Sequence, residues 1–323
     1  MNKRRLILIR KMIILLVIAV LYVTSCQKPE DSAEAAAEKA EAPAAFSLMG
    51  KPLYAAEPSP RVFEKLREYR AAYEADPQNA DNLIWLGRFT AYKGDYAGAI
   101  AVFSKGIETF PDDPRLYRHR GHRYITTRQF DSAIMDFEQA SQLIKGKPNQ
   151  VEPDGMPNAR NIPVSTLHGN IWYHLGLSYY LKHDLENALR AYRNCLATGS
   201  SPDNIVSASH WLYMILRRLD RREEAEKYLK DITADMDIIE NIDYHRLCLF
   251  HKGELSLEEL LSGAQDENAS DAVKYAVGNW YFYNGEKDKA KTVFEEILAG
   301  RSWPSFGYIA AESHFVNNFL QQQ

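Results

Sequence analysis

Residues 169–202 read GNIWYHLGLSYYLKHDLENALRAYRNCLATGSSP, and their spacing decides the fold. Trp172, Leu175, Gly176 and Tyr179 recur at helical intervals, and Ala188, Tyr192 and Cys195 do the same after a short polar turn. That is the period of two amphipathic helices, and Pro202, which cannot continue a helix, closes the unit at 34 residues. Gly176 and Ala188 are small where two helices must cross closely, while Trp172, Leu175, Tyr179 and Tyr192 fill the space between this hairpin and its neighbours. One such hairpin cannot bury its apolar faces alone, so flanking copies are expected on both sides.

The chain supplies them. Residues 80–113 place Leu83, Leu86-Gly87, the turn Gly94-Asp95-Tyr96, Ala99, Phe103, Gly106 and Pro111 in the corresponding positions. Residues 114–146 place Tyr117, Gly121, Tyr124, Phe130, Ala133, Phe137 and Ala140, with Arg120 where a buried leucine is expected. A guanidinium there needs either an acid from a neighbouring helix or a ligand cavity. Residues 271–300 restore the pattern through Val277-Gly278, Tyr281, Gly285, Ala290, Phe294 and Ile297. Between them, residues 206–233 keep the apolar alternation without the glycine. Residues 237–270 are weaker still, with a first helix near 240–251 and Ser256-Leu257-Glu258-Glu259 at capping-box spacing.

On these residues the chain resembles the tetratricopeptide repeat (TPR) family. The resemblance implies an all-α fold, an α-solenoid of about six TPR-like helical hairpins over residues 61–320. Residues 61–75 read as a second helix that lacks its first, and 305–320 as a C-terminal capping helix. The insertion at 145–165, KGKPNQVEPDGMPNARNIPVS, holds four prolines and interrupts the array. Loops longer than about 12–15 residues are uncommon in compact domains and often bind or cover something.

The beginning of the chain is an address. Lys3, Arg4, Arg5, Arg10 and Lys11 precede an apolar run over 12–23, too short to span a bilayer and the right length for a signal peptide. Val23-Thr24-Ser25-Cys26 then resembles a bacterial lipobox, which implies a signal peptide over 1–25 and lipidation of Cys26. Removing five basic residues and no acid takes the formal charge from −4 to −9. Gln27 after the anchor points by resemblance to the outer membrane, so the expected location is the bacterial cell envelope. Residues 26–60, rich in Ala, Glu and Pro, read as a flexible tether.

No chemistry of a catalyst is legible. No glycine-rich phosphate loop, zinc-peptidase or serine-nucleophile motif occurs. Cys195 and Cys248 sit in small-residue slots two repeats apart, and His119 and His122 lack a third metal ligand at a recognisable spacing. The chain therefore reads as no enzyme, with no metal and no cofactor. The TPR resemblance implies a concave face lined by first helices, with Asp81, Ile84, Arg88 and Tyr92 in one copy and Arg115, Arg118, His122 and Thr126 in the next. Further slots hold Asn170, Tyr173, Leu177 and Tyr180, then Tyr275, Asn279, Phe282 and Tyr283. Residues 115–128 hold five arginines, two histidines and no acid.

The expected partner-binding residues are thus Arg88, Tyr92, Arg115, Arg118, His122, Tyr173 and Tyr180, forks and phenols suited to a protein or peptide with an acidic part. The plainer reading pairs those arginines with acids of the next hairpin and packs the tyrosines. The alternative function is a receptor for a non-protein anionic ligand (a glycan, peptidoglycan fragment or lipid head group) under the 145–165 loop, which a compact pocket would favour over an open groove. Nucleic acid is excluded by export and by the acidic balance. The sequence leaves self-association open.

Overall fold

The computed structural model describes residues 42–262 and 267–320, without the side chains of 267–270. The expected signal peptide over 1–25, Cys26 and the expected tether as far as residue 41 therefore lie outside the described residues, among which no helix is long and apolar enough to cross a membrane. A short antiparallel hairpin, β1 (Ala45–Phe46) and β2 (Pro52–Leu53), comes first. Helix α1 (Pro60–Ala75) then leads into α2 (Ala80–Tyr92), α3 (Tyr96–Thr109), α4 (Pro114–Thr126), α5 (Phe130–Leu143), α6 (Leu167–Leu181) and α7 (Leu185–Leu196). The second half holds α8 (Pro202–Arg218), α9 (Arg222–Lys227), α10 (Ile242–Lys252), α11 (Leu257–Ser262), α12 (Glu267–Tyr283), α13 (Lys287–Leu298) and α14 (Phe306–Phe315). A single π-turn, Val316–Leu320, follows.

Six hairpins, α2/α3 to α12/α13, stack in sequence, and each first helix touches the first helix of the next. The repeat is visible in one recurring contact. A Cβ built on Gly87, Gly121, Gly176 or Gly278 would lie 2.5 to 2.8 Å from the ring of Phe103, Phe137, Tyr192 or Phe294, in each case the aromatic residue at the same distance further along the chain. Glycine on the first helix lets that ring of the second helix approach the backbone, and the alanines Ala99, Ala133, Ala188 and Ala290 are fully buried beside it. Every hairpin also turns through a left-handed residue: Gly94, Arg128, His183, Asp220, Gly253 and Gly285. Caps sharpen the ends. Asn79, Asp113, Thr166 and Ser201 accept from first-turn amides, and Ser256 and Glu259 form the capping box. The two weak copies are weak in their second helices, α9 and α11, which are cut to six residues each.

Arg120 is architectural: its guanidinium meets Asp136 of α5 at 2.6 and 2.8 Å and Ser104 of α3 at 3.0 Å.

Two segments depart from their sequence expectation. Residues 43–55, placed in the tether by composition, bury Ala45 and Leu53 in the main core. Their amide and carbonyl groups reach the far end of the chain: Leu48 N–H donates to Glu312 at 2.8 Å, and Trp303 Nε1 donates to the Tyr54 carbonyl at 2.7 Å. Helix α14 covers α12 and α13 as a cap does, and it also lies against α6. The left-handed residues of two turns hold it there. Arg128 donates to Glu312 at 2.8 Å and to the Trp303 carbonyl at 2.9 Å, all buried, while Ser313 Oγ donates to the Leu181 carbonyl at 2.6 Å next to His183. The first helices thus wrap around the chain's own C-terminal segment, and neither contact is written in a local pattern.

Candidate functional site: a strapped cavity on the inner face

The insertion at 145–165 is ordered as a strap. Its ends close on each other through Glu152 N–H to the Ser165 carbonyl (3.0 Å) and Leu167 N–H to the Gln150 carbonyl (2.9 Å). Its tip is folded by Asn158, whose amide donates to the Ile162 carbonyl and to Glu240, and is tied across the array by Arg160 to Asp237 at 2.7 Å. At its root the buried Glu152 carboxylate takes a bond from Asn170 and meets Arg118 at 3.1 Å, with His119 Nε2 at 3.8 Å.

Between strap and first helices lies a cavity of about 730 Å³. Asn170 and Tyr173 of α6, Asn204 and Ser207 of α8, and Asn241 and Tyr244 at α10 supply its polar wall; Phe306 and the strap residues 162–166 close the rest. The phenols are fixed rather than free: Trp211 Nε1 donates to the Tyr173 hydroxyl at 2.9 Å, and Tyr173 and Tyr244 share a 2.8 Å bond. Burial, then the neighbouring phenol, pushes the Tyr173 hydroxyl well above its ordinary pKa, so it remains a neutral donor and acceptor. Asp203 is buried at the floor and accepts from the amides of Ile239, Glu240 and Asn241 at 2.8 to 3.0 Å, which shapes the wall. The charges on this lining are Asp203, Asp237 and Glu240 against Arg118, itself already met by Glu152.

The residues singled out in the sequence fall into separate environments. Tyr173 and Arg118 line the large cavity. Arg88, Tyr92, Arg118 and His122 line a smaller one of about 130 Å³, with His119, Arg123, Ala91 and Phe103. Arg88 donates to the strap's Pro153 carbonyl at 2.9 Å and stacks over Trp85. Arg115 is saturated by Asp113 and Asp81, both at 2.6 Å. Tyr180 is 2% exposed and its hydroxyl shares a 2.5 Å bond with Tyr275, inside the core. His122 packs on His174 and Phe306. Burial, followed by the neighbouring arginines, drives both His119 and His122 well below the ordinary histidine range, and burial holds His174 at about 3, so all three are neutral. The continuous open groove implied by the TPR resemblance is therefore subdivided by the strap, α14 and the N-terminal hairpin. Ile84, Thr126, Leu177, Tyr275 and Asn279, given groove slots by the TPR resemblance, are buried.

Glu152, Arg123, Asn241 and Tyr244 belong to these cavities without having been singled out. Arg123 was visible as one of the arginines of α4. Glu152 and Asn241 lie in irregular segments, where no period announces a facing direction. Burial pushes the Cys195 thiol up to about 12, which removes it as a nucleophile, and among the described residues no three His, Cys, Asp or Glu side chains converge as a metal site.

No family model matches the chain. A stretch of 186 residues, 58% of the chain, is 23% identical to DnaJ homolog subfamily C member 3 of Rattus norvegicus, and spans about a third (33%) of that relative. Among solved structures, the chain is similar to YrrB, described as a TPR protein with an unusual peptide-binding site (15% identity, 76% of this chain and 96% of that one, TM-score 0.42). It is also similar to the Cut9–Hcn1 assembly of APC/C (16% identity, 77% and 40%, TM-score 0.46). MamA from Desulfovibrio magneticus RS-1 matches at 20% identity over 52% of this chain and 82% of that one, with a TM-score of 0.40. The chain is a TPR-like α-solenoid. That assignment stands on the repeated glycine-to-ring contact and the six left-handed turns.

Proposed function

We propose that this chain is a non-enzymatic scaffold of the bacterial cell envelope, tethered to the outer membrane through lipidated Cys26, that holds a segment of a protein or peptide partner in the strapped cavity. The observation that carries the reading is the wall of that cavity. Asn170, Asn204, Ser207 and Asn241, on or at the start of successive first helices, already donate within the chain to Glu152, the Gly199 carbonyl, the Asn204 carbonyl and the Asp203 carbonyl. That leaves their side-chain oxygens to accept from the amides of an extended main chain, between the aromatic faces of Tyr173, Tyr244 and Phe306. Of the charges on the lining, Arg118 is met by Glu152 and Asp237 by Arg160, which leaves the carboxylates of Asp203 and Glu240, so the cavity favours a neutral or basic segment. That revises the acidic partner suggested by the arginine-rich stretch.

Two sites of photo-crosslinking test it. A photoreactive residue at Asn241 or at Val164 in the strap is expected to join the same envelope protein in living cells, whereas one at the outward, 72% exposed Met135 is expected to join none. Equal yields at all three positions would place the contact elsewhere, and absence of any adduct at Asn241 and Val164 would remove the reading. The compactness of the cavities also favours a small-molecule reading at one specific place.

A further inference from the structure

The smaller cavity differs from its surroundings in one respect: its charge is not balanced. Its neighbour, about 120 Å³ and sharing Arg88 and His119, is lined by the carboxylates of Asp81 and Glu152 as well as by Arg115. The 130 Å³ cavity has three guanidinium groups, Arg88, Arg118 and Arg123, and no carboxylate on its wall. Glu152 meets Arg118 from outside that wall. Among the described residues no carboxylate comes within 4.0 Å of Arg123, whose named partner is the face of Tyr96 at 5.8 Å. One of the three charges is thus neutralised and two are left. Arg118 Nε is also buried with no hydrogen-bond partner. The unpartnered Arg118 Nε and the carboxylate-free Arg123 are costly to bury unless an anion completes the site, while Arg88, more exposed and bonded to the Pro153 carbonyl, adds a second positive charge to the wall.

We propose that the cavity enclosed by Arg88, Tyr92, Arg118, His119, His122 and Arg123 binds a phosphate dianion, as the free ion or as the head of a small phosphate monoester. Two residual positive charges match a dianion better than a carboxylate. Forked guanidinium donors suit a tetrahedral oxyanion, and the neutral His122 imidazole and the Tyr92 hydroxyl add donors without adding charge, while His119, held by Arg118 and facing Glu152, closes the wall. The volume accommodates one such group and leaves no room for a peptide segment, which separates this site from the strapped cavity. Burial lowers the Arg123 guanidinium to about 10, still charged at neutral pH.

Isothermal titration of the full chain in detergent with inorganic phosphate, with glycerol 3-phosphate and with acetate tests the proposal and does not involve the partner. Saturable binding of phosphate is expected, with acetate at least ten-fold weaker. Binding of glycerol 3-phosphate as well would identify the monoester, and its absence the free ion. Arg123→Gln is expected to weaken phosphate about ten-fold or more, since it removes charge-assisted bonds. Arg115→Gln, whose parent guanidinium is held by Asp113 and Asp81, is expected to stay within two-fold. Ala91→Asp, which places a carboxylate inside the cavity, is expected to abolish binding while the helical circular dichroism is kept, and it carries the test if Arg123→Gln does not fold. No saturable phosphate binding, equal affinity for acetate, or unchanged binding by folded Arg123→Gln or Ala91→Asp would overturn the proposal.

Discussion

Arg128, His183 and Asp220 share a backbone conformation that glycine adopts at the equivalent turns, and they differ in what their side chains do there. A residue other than glycine in the left-handed region is strained by about 1 kcal/mol, less for Asp. Arg128 recovers that strain through Glu312 and the Trp303 carbonyl, whereas Asp220 is exposed with its side chain towards solvent. Asp220→Gly is therefore expected to be neutral or stabilising by up to about 1 kcal/mol, and Arg128→Gly to destabilise by about 3 kcal/mol because Glu312 is left buried and unpaired. Urea denaturation read by circular dichroism measures both. Arg120 follows the same logic at the second hairpin. Asp136 is 4% exposed, so Arg120→Leu is expected to cost about 3 kcal/mol, and the added change Asp136→Leu to recover part of it. The sequence showed that Arg120 needed a partner or a cavity. It could not choose between them, because Asp136 lies on the next helix at a position that any surface acid could occupy.

At the scale of the element, what was legible was what repeats. Gly87, Gly121, Gly176 and Gly278 announced four tight crossings, and each faces a ring of its own second helix, whereas the spacing had placed Tyr192 between hairpins. Gly176→Val is expected to cost about 3 kcal/mol or more, since even a Cβ meets Tyr192 at 2.6 Å in a packed interior. Gly199→Ala, with open space around it, is expected to cost under 0.5 kcal/mol. Thermal melts of the two variants make the comparison. The strap and the N-terminal hairpin were not legible. Their order comes from bonds such as Arg160 to Asp237 and Leu48 to Glu312, which join residues far apart in sequence, and a proline-rich composition reads the same whether such bonds form or not. For the same reason Arg88, Arg118 and His122 were found, while Glu152, which reaches Arg118 from the strap, and their division between two cavities were not.

For the whole molecule, the inner face carries buried histidines that remain neutral. His174 is held at about 3 and His210 at about 3 by burial, His183 at about 4 by burial and then Arg218, and His119, His122, His251 and His314 are lowered as well. The unfolded chain takes up these protons near pH 6.5 and the folded one does not. Stability is thus full above about pH 6.5 and falls as pH drops towards the folded values, by up to about 1.4 kcal/mol per pH unit for each such histidine. Melting temperature is expected to decline steeply from pH 7 to pH 5, and His174→Gln to flatten that decline. An unchanged slope in a folded variant would mean that His174 is accessible to protons.

The same closure decides where a ligand can go. An array with an open concave face offers the whole groove, and one wrapped around its own C-terminal helix offers only the enclosed cavities. Hydrogen exchange of the full chain, resolved by peptide, tests that difference directly. The closed arrangement predicts that amides of 306–315 and of the hairpin around 45–53 exchange as slowly as those of α6, and that Glu312→Gln speeds both segments together. Rapid exchange of 306–315 in the unaltered chain, at the rate of a frayed terminal helix, would contradict it and return the full groove to its ligand.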